Sequence, residues 1–320
     1  MGKPLARTCA LLLALSISVL ADAAPAPDRG DLVSLTQLRT FAFTNKTEYV
    51  LGEPVLVKLV FANWSHEDTF ELQGYWHPAN DFEILVARSG EIPERYTAGI
   101  KDILVPATTY LLPPLSLRTR RWLLCHEPER ENGFLLDQPG LYTIACQARV
   151  AINRTPRVLK LDEIRVQIKE PTAEQEQVLK LILRPECAKD LQEVRARDET
   201  AQIWEDLAQR FPKSLWAPYA KLLLARRALD TATGDFTALA EQFEAIARDY
   251  PDFPLRDDVY YACALSWDRM GKPLEALRWL QRIEREFPTS PHMHASSRLF
   301  GKYIYREGWE RIYSPWYLAE

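Results

Sequence analysis

Histidine pairs, clustered acids and cysteines are the side chains of this chain that could do chemistry. Five histidines occur, His66, His77, His126, His292 and His294. Only His292 and His294 are close in sequence, and metal ligation is the chemistry such a pair would offer. Two residues apart on a helix, they fall on different faces, and no set of cysteines or carboxylates at metal-ligand spacing accompanies them. Asp257 and Asp258 form an acidic pair at a predicted helix start, where carboxylates answer the helix dipole. No G-x-S-x-G, H-E-x-x-H or phosphate-cradling glycine loop is present, in a chain with 12 glycines. The sequence therefore indicates no catalytic residue, no cofactor and no metal site. A net charge of -4, without any block of lysine and arginine, also argues against nucleic acid as a partner.

Binding is the remaining chemistry, and two sets of residues could supply it. The first lies on the predicted helices 215–229, 256–270 and 292–305: Lys221, Arg226, Arg227, Tyr260, Asp268, Arg298 and Lys302 stand off the apolar stripe. Polar and amphipathic side chains of this kind suit a protein or peptide partner. The second set is Trp64, Tyr75 and Trp76 in predicted loops, which could form a carbohydrate-binding surface. The tail "YIYREGWERIYSPWYLAE" adds six aromatics, expected to close the end of the helical region.

The elements that must position these residues are legible as rhythm. Lys3 and Arg7 precede an apolar run over residues 9–21, and Ala21-Asp22-Ala23 fits a cleavage site, so residues 1–23 read as a secretory signal without a lipid-anchor cysteine. The run is too short to span a bilayer. Residues 24–38 follow as a linker. These features predict a secreted or periplasmic protein with no membrane insertion after cleavage. From 39 to 170 the period is two, with Val55, Val57, Leu59 and Phe61 on one face of a strand and Ile164, Val166 and Ile168 on one face of another. Turn residues separate the strands. Cys125 and Cys146 stand in this region and read either as a disulfide, worth on the order of 3 kcal/mol, or as two buried thiols. Cys187 and Cys263 read as buried thiols. Asn45, Asn63 and Asn153 head glycosylation-type sequons, which would mark surface loops.

Beyond Pro171 the period becomes 3.6, opening on a Thr172…Gln175 capping box. Three segments, "WEDLAQRFP", "FEAIARDYP" and "LQRIEREFP", end in an aromatic and then Pro212, Pro251 or Pro288. Trp204, Phe243 and Leu280 occupy equivalent places on one helix face, and Ala220 and Ala262 recur in the helices that follow.

"GEPVLVKLVFANWS" and "LDQPGLYTIAC", with Tyr142 after its turn, resemble the immunoglobulin-like modules of exported bacterial proteins. The resemblance implies a β-sandwich over 39–170, in which Tyr142 bonds back to the preceding backbone, with Ile144 where an antibody cysteine would stand. The proline-closed units resemble tetratricopeptide repeats of exported bacterial proteins, including cell-envelope assembly and division factors. That implies an all-α helical-repeat array over 171–320, completing a multidomain chain with an aromatic C-terminal cap. The expected function is a non-enzymatic exported adaptor holding a protein or peptide in the cell envelope. Alternatives are a glycan-binding envelope protein and an exported protease inhibitor.

Overall fold

The computed structural model describes residues 37–74, 81–96, 108–231 and 236–293. The predicted signal 1–23, nearly all of the linker, Tyr75, Trp76, Arg298, Lys302, His294 and the aromatic tail lie outside them.

Alternating apolar residues build eleven strands among the described residues. Strands β1 (Leu38–Thr44), β3 (Val55–Asn63) and β8 (Leu117–Leu124) form a three-stranded antiparallel sheet, ordered β1-β3-β8. The other eight are β2 (Glu48–Val50), β4 (Phe70–Gly74), β5 (Phe82–Arg88), β6 (Glu94–Tyr96), β7 (Thr108–Leu112), β9 (Gly140–Ile152), β10 (Thr155–Lys160) and β11 (Ile164–Lys169). They form a second sheet around the 13-residue β9, with β2 joined parallel to β11. The sheets meet through Phe61, Phe82 and Trp122: the Phe82 and Trp122 ring centroids are 4.6 Å apart. Tyr142 donates its phenol hydrogen bond to the Gln138 carbonyl at 2.9 Å.

Seven helices follow: α1 (Ala173–Ile182), α2 (Pro185–Glu193), α3 (Ala201–Arg210), α4 (Ala217–Thr231), α5 (Thr237–Asp249), α6 (Arg256–Arg269) and α7 (Pro273–Glu286). Thr172 caps α1 reciprocally with Gln175. The three proline-closed copies are alike in geometry. Helices α3, α5 and α7 each end on a non-helical aromatic, Phe211, Tyr250 and Phe287, because the following proline disfavours the α region. Trp204, Phe243 and Leu280 are each fully buried.

The expected fold class, an immunoglobulin-like sandwich joined to a tetratricopeptide-like array, is overturned. The helical part holds only seven helices among the described residues, and it is not an independent array. Leu56, Leu123, Cys125 and Phe134 of the β region share one apolar core with residues from α1 through α7. The described residues from Leu38 onward accordingly form one compact unit. The reason is visible in β3, which is buried on both faces at its start: Val55 and Val57 face the second sheet while Leu56 faces the helices. Two glycines allow the close approach. A side chain on Gly133, at φ 74°, would lie 2.4 Å from the Cα of Pro185. One on Gly52 would lie 2.7 Å from Leu179, and the Gly52 carbonyl accepts from the Trp216 indole at 3.2 Å.

The remaining cysteine and sequon readings are also decided. Cys125, Cys146, Cys187 and Cys263 are all buried free thiols. Cys125 belongs to the core shared with the helices, while Cys146 pairs across strands with Ile84, so the disulfide reading is withdrawn. Asn63 is not a surface sequon: it is 2% exposed and its amide donates to the carbonyls of Asp68, Leu112 and Pro113. Asn45 and Asn153 are exposed.

Truncating Phe243→Ala removes a fully buried ring and should cost about 3–5 kcal/mol in urea unfolding; a loss below about 1 kcal/mol would contradict its placement. Gly133→Ala, which meets backbone and needs positive φ, should cost more than about 1 kcal/mol, with strand and helix signals shifting together.

Candidate functional site

The charged residues gather where β8 meets α6. Arg121 stands on β8, opposite Lys58 of β3, and directly paired residues of antiparallel strands share a face. Asp257 and Asp258 occupy the first turn of α6. The Arg121 guanidinium donates through Nη1 to both Asp257 carboxylate oxygens, at 2.9 and 3.0 Å, and through Nη2 to Asp258. The loop after α7 completes the cluster. Ser290 Oγ donates to Asp257 at 2.6 Å, and His292 Nε2 lies 2.9 Å from Asp258 and 3.1 Å from Arg121. Arg226 of α4 approaches Asp258 at 4.0 Å.

Burial makes these contacts strong. The side chains of Asp257 and Asp258 are 3% and 5% exposed and that of Arg121 13%. Burial alone would raise the Asp258 pKa, but the Arg121 charge and the His292 hydrogen bond and charge outweigh it and hold the carboxyl well below the usual range. Burial pushes the Lys58 ammonium below the ordinary lysine value; Asp257 opposes this and Arg121 adds to it.

The cluster contains serine, histidine and aspartate, yet it is not arranged as a nucleophile and base. Ser290 Oγ donates to Asp257 and accepts from the His292 backbone N–H, while the imidazole faces Asp258. Among the described residues no group of three or more His, Cys, Asp and Glu could hold a metal ion. The arrangement can clamp strand to helix and can present charge; the imidazole pairs with Asp258 rather than with Ser290.

A half-buried strip leads away from the clamp. The Tyr261 ring stacks on His292, with centroids 4.4 Å apart and an interplanar angle of 13°. Burial raises the Tyr261 phenol, while Arg226 lowers it and Asp268 raises it further, so both charges act on this ring. Of the residues read from sequence as partner-binding, Arg226 and Asp268 are the two whose charges act on Tyr261. Lys221 lies over the Tyr250 ring at 5.0 Å, and Arg227 donates to Asp198 at 2.9 Å. Tyr260 does not line a surface. It is fully buried against Trp279 and Phe287, donates to Glu286 at 2.8 Å and accepts from Arg282 at 2.6 Å. Arg298 and Lys302 lie outside the described residues. Trp64, of the aromatic set, is 40% exposed.

Sequence reasoning missed Tyr261 and Arg121. The helix-face rule chose Tyr260 over its neighbour because α6 is buried on most sides, with Val259, Tyr260, Ala262, Cys263, Ala264 and Ser266 all enclosed. For Arg121 a signal existed: the run "RTRRW" puts charge inside an otherwise apolar strand.

Arg121→Ala deprives two buried carboxylates of the guanidinium they share and should cost about 3–5 kcal/mol at neutral pH. Because the folded Asp258 pKa lies below the unfolded value of about 3.9, its stabilisation is present at neutral pH and is lost as pH falls through that value toward the folded one. The parent should therefore lose more stability between about pH 6 and pH 3 than Arg121→Ala does, measured by urea midpoints. Equal losses would contradict the assignment.

Among the described residues no helix is long and apolar enough to cross a membrane. No protein-family model and no curated protein matches the chain. Three solved structures show the level of structural likeness. A Pseudomonas fluorescens alkylpurine DNA glycosylase is 10% identical, with 42% of this chain and 30% of that one covered and a TM-score of 0.24. A CARDB domain of a Pyrococcus furiosus protein is 10% identical, covering 45% and 100%, with a TM-score of 0.24. The Bacillus subtilis sporulation control protein Spo0M is 15% identical, covering 46% and 54%, with a TM-score of 0.23. The chain thus spans under a third of the glycosylase's length. Likeness at these scores carries neither a fold assignment nor a function to this protein.

Proposed function

We propose that this protein is a non-enzymatic exported adaptor that holds a protein or peptide segment of the cell envelope along the strip of Arg226, Tyr261, Asp268 and His292. One observation carries the reading: a partly exposed aromatic ring is held by stacking on His292, within the fields of Arg226 and Asp268. An aromatic held by its neighbours costs little further ordering on binding, which is what an anchoring contact requires. The clamp beneath supplies the rigidity, since His292 and α6 are both held by Arg121. Export rests on the sequence of residues 1–23.

Tyr261→Ala combined with Arg226→Ala should weaken capture of an envelope partner by at least about tenfold, ~1.4 kcal/mol, with the melting temperature changed by only a few degrees. Unchanged capture by this double variant, or capture abolished by Trp64→Ala instead, would overturn the reading in favour of the aromatic loop.

A further inference from the structure

Strand β3 is buried on both faces along almost its whole length, and the core shared with the helices accounts for only one end of this. Leu56, Lys58, Val60 and Ala62 stand on the face turned away from the second sheet, because Val55, Val57, Leu59 and Phe61 point the other way. Leu56 belongs to the core shared with the helices; Val60 and Ala62 do not. Yet Val60 and Ala62 are 6% and 4% exposed, and Thr119, opposite Val60 on β8, is 6% exposed. On the other side of Val60 stands Phe41 of β1, partly exposed, and Phe43 beyond it is 39% exposed. The Thr119 hydroxyl Oγ1 is enclosed without a hydrogen-bond partner, a loss that native structures seldom leave unanswered. A face that is apolar, closed at its middle and open at its rim needs a cover.

The chain itself arrives at this face. Ser290 and His292, which follow α7, are tied to Asp257, Asp258 and Arg121. Arg121 lies on the same face of the sheet, two residues along β8 from Thr119. Phe43 stands across Lys58 from Arg121, about 10 Å away at two strand spacings. Residues 294–320, at about 3.3 Å each when extended, span several times that distance. Their composition also suits the face. Tyr303, Tyr305, Trp309, Tyr313, Trp316 and Tyr317 each carry a large apolar ring with one polar handle. Such rings can cover Phe41 and Val60 and offer a donor to Thr119 Oγ1.

We propose that the outer face of the three-stranded sheet, centred on Phe41, Val60 and Thr119, is the docking site of the aromatic segment 303–317 of the same chain. The segment then closes the sheet, rather than the end of the helical region as its sequence suggested. The inference stands apart from the adaptor reading, whose residues Arg226, Tyr261 and Asp268 lie on α4 and α6.

Photo-crosslinking in the full chain tests this, with benzoylphenylalanine in place of Phe43 and the adduct located by peptide mass spectrometry. The adduct should join position 43 to a peptide within residues 294–320. The same probe in place of Val158, 59% exposed on the other sheet, should give no adduct there. Trp309→Ala combined with Trp316→Ala should lower the yield of the position-43 adduct at least about threefold, as expected when anchoring rings are removed. Adducts from position 43 to residues 24–36, adducts between two molecules, or none to 294–320 would overturn the proposal. So would a yield unchanged by the paired tryptophan substitutions. The probe sits in the intact chain, so the result does not require any variant to fold without the segment.

Discussion

A single guanidinium, that of Arg121, sits out of water between two aspartates and an imidazole, and the arrangement of this molecule turns on it. It joins β8 to the first turn of α6 and, through Ser290 and His292, to the chain that follows α7. A charge with little access to solvent tolerates few geometries, because any displacement leaves a carboxylate or a guanidinium unpaired at a cost of several kcal/mol. The helices are consequently held in one orientation on the three-stranded sheet, and the stacked pair Tyr261–His292 is held with them.

Most of the cohesion of that junction is apolar. Leu56, Leu123, Cys125 and Phe134 contribute to the same core as Trp204, Trp216, Phe243 and Tyr260, and removal of such surface from water is the dominant favourable term in folding. A buried ion pair adds little net stability compared with well-packed apolar residues and instead discriminates between packings. The two kinds of interaction act at the same junction: the apolar core holds sheet and helices together, and Arg121 ties β8 to the first turn of α6. Gly52 and Gly133 permit the close approach that both require.

How much of this was legible in the sequence depends on how many sides of an element are buried. The capping box at Thr172 and the three aromatic-proline helix ends are local, and local rules found them, while the phenol bond of Tyr142 was what the resemblance to immunoglobulin-like modules implied. The junction is not local. Reading β3 by alternation assigned Val55, Val57, Leu59 and Phe61 to a core, but the residues between them, Leu56 above all, are buried as well. An unbroken apolar run is the mark of a strand covered on both faces, and this was the available signal that the β region was no free-standing sandwich. Tyr260 and Tyr261 were exchanged for a similar reason: a helix enclosed on most sides has no single apolar stripe from which to count. The pairing of Arg121 with Asp257 spans 136 positions, and neither residue type announces its partner.

Breaking the chain between Glu170 and Thr172, in the link from β11 to α1, tests most directly whether sheet and helices are one folding unit. With a protease site placed there, the cleaved halves should remain associated and unfold in urea as one transition by both strand and helix signals, and each half purified alone should lose cooperative unfolding, since Leu56, Leu123 and Phe134 would face water. Two soluble halves, each unfolding cooperatively at its own midpoint, would contradict the shared core and the role given to Arg121.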